Sequence, residues 1–138
     1  MGDLTQLRAR SGDSEKITIN LGYVDLGLID LLVQDGFYSN RTDLIRTAIR
    51  NQLDRHGEAV RQSVTRLQMD LGLRHYTKAQ LEDARAAGEK LYIHVLGLAV
   101  IASDIPPELA AEVIASIHVL GALQASPAVK AALGDRIH

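Results

Sequence analysis

Cysteine is absent from the 138-residue chain. That excludes a disulfide framework, a thiol nucleophile and a cysteine-based zinc site, and it fits a cytoplasmic protein. No apolar run reaches the roughly 20 residues a membrane helix needs. The longest, Leu91 to Ala102, is interrupted by His94, so no membrane partner is expected. The opening stretch, Met1 to Lys16, is polar with both charge signs and lacks the apolar core of a signal peptide. An excess of positive charge is also missing: 15 Lys+Arg stand against 17 Asp+Glu, a net charge of -2. Nucleic-acid-binding chains are often basic. Any such contact here must therefore come from locally placed cations, for which Arg8, Arg10, Lys16, Arg41, Arg46 and Arg50 are the candidates. No Ser-His-Asp, paired-carboxylate or glycine-rich phosphate pattern stands out, so neither an enzyme nor a cofactor is expected. What is present is 46% hydrophobic residues, enough for a core and for one or two small domains.

The first half changes period twice. Residues 1–14, with Gly2, Ser11, Gly12 and Ser14 among scattered charges, read as a flexible arm. Lys16-Ile17-Thr18-Ile19-Asn20-Leu21 then alternates polar and apolar strictly, the pattern of a half-buried strand. From Val24 to Val33 the apolar spacing becomes helical, through Val24, Leu28, Leu31 and Leu32, and Gly36 is placed to end that helix. A second helix opens at Ser39-Asn40-Arg41-Thr42-Asp43, with Asn40 and Asp43 spaced like a capping box. Leu44, Ile45, Ala48, Ile49 and Leu53 form its apolar stripe, and Gly57 breaks it. One strand cannot satisfy its own backbone, and no other strand lies nearby in sequence. A second copy of the chain is the simplest partner.

The stretch Lys16 to Leu53 resembles the ribbon-helix-helix regulators of the CopG/Arc/MetJ type. The matching residues are the ribbon Lys16 to Leu21 and the helix-helix junction running from Leu31 through Gly36 to Arg46. The resemblance implies a homodimer whose two strands pair antiparallel and enter the major groove of double-stranded DNA. Ile17, Ile19 and Leu21 would face the dimer core, and Lys16, Thr18 and Asn20 would face outward. A Lys, a hydroxyl and an amide are residue types that contact base edges, although a merely solvated polar face has the same alternation. Ser39, Asn40, Arg41 and Thr42, beside the free amides that open the second helix, are candidates for phosphate contact. Arg46 joins them. Arg46 and Arg50 lie four apart and have equally plausible ion-pair partners in Asp43 and Asp54.

The second half repeats itself. Ile93-His94-Val95-Leu96-Gly97 recurs verbatim as Ile117-His118-Val119-Leu120-Gly121, a 24-residue offset, and Leu71-Gly72-Leu73 is a weaker third copy. A helix-start signal follows each: Thr77, Asp104 before Pro106-Pro107, and Ser126 before Pro127. The expected helices are Lys78 to Ala87, Pro107 to Ile114 and Pro127 to Leu133. The expected organisation is an α+β chain: ribbon-helix-helix over 15–56, a connecting helix over 57–66, and a β/α repeat domain over 67–138. That last domain would carry about three strand-helix units on a parallel sheet. His94 and His118 occupy one repeat position and would neighbour each other in such a sheet. They are the candidate metal ligands, but the repeat alone explains the coincidence and no third ligand is evident.

The expected function is a sequence-specific transcription regulator, a repressor acting as a homodimer or higher homo-oligomer. An antitoxin with a toxin partner is one alternative, although toxin-binding tails are usually short and disordered when free, unlike this apolar repeat. A self-assembling DNA-associated structural protein is the other.

Overall fold

The computed structural model describes residues 14–138. The polar arm apart from Ser14, and with it Arg8 and Arg10, lies outside the described residues. The chain divides into two compact units, Met1–Val60 and Arg61–His138.

In the first unit residues 15–22 are irregular, and no strand of the described residues pairs with them. Two helices follow, α1 (Tyr23–Gln34) and α2 (Arg41–Arg55). The end of α1 is fixed by backbone chemistry. Gly36 takes φ +86, so that its N–H reaches the Val33 carbonyl and the N–H of Phe37 reaches Leu32. This pair of bonds satisfies two carbonyls that the helix would otherwise leave open. The start of α2 is a capping box displaced by one residue. Asn40 Oδ1 accepts from the Asp43 N–H at 2.8 Å, and Asp43 Oδ2 accepts from the Ser39 N–H at 3.0 Å. Neither helix buries a residue. Ile17 (73% exposed), Ile19 (59%), Val24 (76%), Leu28 (57%) and Leu53 (61%) remain open to solvent.

A third helix, α3 (Gly57–Leu67), leads into the second unit. It ends with the same bond pair as α1, but with Gln68 in the left-handed position at φ 53. The second unit then runs β1 (Asp70–Tyr76), α4 (Lys78–Ala86), β2 (Leu91–Ile101), α5 (Pro107–Val113), β3 (Ile114–Gln124) and α6 (Pro127–Leu133). The strands form one parallel sheet in the order β1-β2-β3, the mixed architecture and parallel pairing that the repeat implied. Its helices start where the caps placed them: Thr77 closes a full capping box with Gln80, and Ser126 accepts from the Val129 N–H. The exception is α5. Pro106 is its cap residue and no side chain caps it, so Asp104 does not serve there.

Like lies on like across the sheet: Leu71, Leu96 and Leu120 form one row, and Gly72, Gly97 and Gly121 the next. The glycines explain the verbatim repeat. Gly97 has φ +137 and Gly121 φ +124, and a Cβ on either would sit 2.3 or 2.0 Å from the carbonyl oxygen of the glycine before it. Only glycine fits there. The core is built on one face. Ile93, Val95, Ala99, Ile101 and Ile117 pack with Leu81 of α4, Leu109 and Val113 of α5, and Val129 and Leu133 of α6. Burial of each such side chain contributes about 1.5–3 kcal/mol. The residues in alternate phase, such as Leu96, Leu98 and Leu120, take no part in that core.

Candidate nucleic-acid interface

Lys16, Thr18 and Asn20 alternate with Ile17, Ile19 and Leu21, and all six are exposed. Alternation in extended backbone sends the two sets to opposite sides. One side therefore offers an ammonium, a hydroxyl and an amide, and the other three aliphatic side chains with nothing to bury against. The hydrophobic effect penalises that exposed side by roughly 25 cal/mol per Å² of apolar surface.

The second set of candidates does gather in space, at the N-terminus of α2. Ser39 and Asn40 stand just before it, and Arg41 and Thr42 in its first turn. Arg46 and Arg50 follow Thr42 at four-residue steps, which places them along one helix face. The capping bonds occupy the Ser39 and Asp43 amides. The Arg41 and Thr42 amides keep no acceptor among the described residues. Together with the positive end of the helix dipole, two such amides can receive an anion oxygen. Neither Arg46 nor Arg50 forms an ion pair among the described residues, so of their two readings the pairing with Asp43 and Asp54 is not formed.

Arg41 is differently placed. Its Nε and one terminal nitrogen hold the two carboxylate oxygens of Asp30 on α1, each at 2.8 Å. The hydrogen bonds from Arg41 hold the Asp30 carboxyl below the usual carboxylate value, and the same bonds raise the guanidinium. This exposed fork links α1 to α2 and leaves one terminal nitrogen of Arg41 outside it. Asp30 and Arg41 are eleven residues apart and on different helices, so no periodicity in the sequence could have paired them. It is the contact at the candidate site that sequence reasoning missed.

In the second unit His94 and His118 are register partners, with ring centroids 6.1 Å apart and edge-on. No group of three or more His, Cys, Asp or Glu able to hold a metal occurs among the described residues. An open hollow of about 560 Å³ lies at the C-terminal ends of the strands, lined in part by His75, Ser103, Asp104, Gln124 and Ser126.

Residues 16–21 alternate polar and apolar but form no strand among the described residues, and two helices follow them, the second opening with Arg41 in its first turn. The chain belongs to the ribbon-helix-helix transcriptional regulator family, whose model matches residues 12–130. The match runs through the parallel sheet as well as the first unit, well beyond the forty or so residues that carry the sequence resemblance. This is a family of regulators and not of enzymes. No curated protein and no solved structure matches the chain significantly. No helix among the described residues is long and apolar enough to cross a membrane.

Proposed function

We propose that two copies of the chain pair residues 16–21 as an antiparallel ribbon, and that this ribbon reads the major groove of DNA. The observation that carries the reading is the exposed side of Ile17, Ile19 and Leu21. It is phased for burial, and no strand among the described residues pairs with it. A ribbon of two strands fits the major groove. Lys16, Thr18 and Asn20 contact base edges, and Ser39, Asn40, Arg41, Thr42 and Arg46 hold phosphates. Arg41 does so through the nitrogen that Asp30 leaves open. The homodimer acts as a repressor by occupying its operator, in the cytoplasm, where that DNA is.

Selection of bound DNA from a random pool tests this. A short inverted or direct repeat is expected, since a two-fold protein reads paired half-sites. Enrichment of no sequence would overturn it. Thr18→Ala and Asn20→Ala separate reading from folding. Each should lose about 1–3 kcal/mol of discrimination at one base position while the dimer stays intact.

A further inference from the structure

We propose that the helix-free face of the parallel sheet packs against the same face of a second copy of the chain. On β1 the charged residues Asp70 and Arg74, with the Tyr76 ring that Arg74 overlies, share one side, where Asp70 and Arg74 form an ion pair at 3.8 Å, while His75 lies on the other with Leu71 and Leu73. That is the phase of the helix-covered face, because Asp70 pairs with Val95 and Tyr76 with Ile101. The leucines of β1 point the other way: Leu71 is 73% and Leu73 64% exposed. An edge strand covered only by its own helices would have the opposite phase. The sequence has placed its apolar residues for burial on the face that α4, α5 and α6 leave open.

That face continues across the register rows Leu71–Leu96–Leu120 and Leu73–Leu98–Ala122. No Asp, Glu, Lys or Arg occurs at its alternate positions in any of the three strands. Parallel sheets are ordinarily covered on both sides. The face also carries His75, His94 and His118, but no carboxylate, ammonium or guanidinium, and its leucine rows suit their own two-fold image, in which side chains of two facing sheets interdigitate. Strands of seven to eleven residues at about 4.8 Å spacing give a face of roughly 400 Å² in projection. Two such faces, roughly 800 Å² together, fall below the about 1,200 Å² at which free-standing specific interfaces begin. A tether supplies the difference: two chains already joined by the ribbon see each other's sheets at an effective concentration on the order of millimolar. For that tether alone the inference rests on the ribbon proposed above.

The absence of cysteine makes the test direct. Leu73→Cys and Leu98→Cys each place a single thiol on the open face, and Glu82→Cys places one on the exposed side of α4. In the folded full-length chain the two face thiols should react with a bulky maleimide about tenfold more slowly than the Glu82→Cys thiol. A bismaleimide should join two chains through either face thiol and not through Glu82→Cys. Equal labelling rates would overturn the proposal, because the face would be open. Slow labelling without two-chain products would overturn it too, because something other than a second sheet would cover the face. All of this is read without DNA, so a chain that fails to select an operator still reports on its sheet.

Discussion

Two kinds of residue carry more than their size suggests. Gly97 and Gly121 occupy places where the preceding strand's carbonyl fills the Cβ position. Gly97→Ala and Gly121→Ala should each destabilise the second unit by about 1–3 kcal/mol for the forced left-handed backbone alone, and by more for the clash. Gly57→Ala, at a helix position with nothing within 4 Å, should leave stability unchanged or slightly raised. Thermal unfolding of the three variants side by side checks this, and equal melting points would refute the carbonyl ladder. Asp30 is the other case. Its carboxyl is held down by hydrogen bonds from Arg41, so the contribution is present above the unfolded value. It is lost as pH falls through the folded one, below about 4. Asp30→Asn should flatten that acid limb of the stability profile. It should also free the whole Arg41 guanidinium, so that DNA binding tightens at low salt. Weaker binding by this variant would mean that the fork positions α2 for DNA instead of competing with it.

At the scale of elements, legibility followed the range of the signal. Helices α4 and α6 were readable to within a residue, because Thr77 and Ser126 accept from amides three residues on and Pro127 sets the backbone of the first helical position. The sheet register was readable because a verbatim repeat leaves one way to stack like on like. The bounds of α5 and the end of α3 were also read to within a residue, and what failed was the cap at Asp104 and whatever depends on tertiary packing. Asp104 looked like a cap but stands too far before Pro107, and α5 begins at a proline, which needs no donor satisfied at its first position. The end of α3 had no glycine to announce it, and Gln68 pays the left-handed cost in its place. Gln68→Gly should therefore raise stability by up to about 1 kcal/mol. The Asp30–Arg41 fork was invisible because it depends on how two helices pack. The ribbon is the reverse case. Its alternation was plain in the sequence, yet residues 15–22 form no strand within one chain, because a strand needs a partner before it has any hydrogen bonds to make. Ile19→Lys sets an unpaired charge on the side meant for burial. Sedimentation should show the two-chain species of the first unit lost, and an unchanged dimer would remove the basis for a shared ribbon.

At the scale of the whole molecule the difficulty is charge. A chain with net charge -2 has no long-range attraction for DNA, so affinity must come from cations placed at the contact itself. In the proposed dimer, with Lys16 assigned to bases, Arg41 and Arg46 would give four phosphate-neutralising groups from the described residues. Counterion release then sets the slope of log affinity against log salt near about −4, which is roughly a hundredfold loss between 50 and 200 mM. Arg46→Ala removes one cation per copy and should make the slope shallower by about 2, with base preference unchanged, since phosphate contacts position and base contacts specify. Asn20→Ala should do the opposite, changing base preference at an unaltered slope. The two variants exchange places if the roles of ribbon and helix start have been assigned the wrong way round. A wild-type slope near zero would leave the acidic chain with no electrostatic hold on DNA, and the α2 N-terminus would then be only a well-capped helix end.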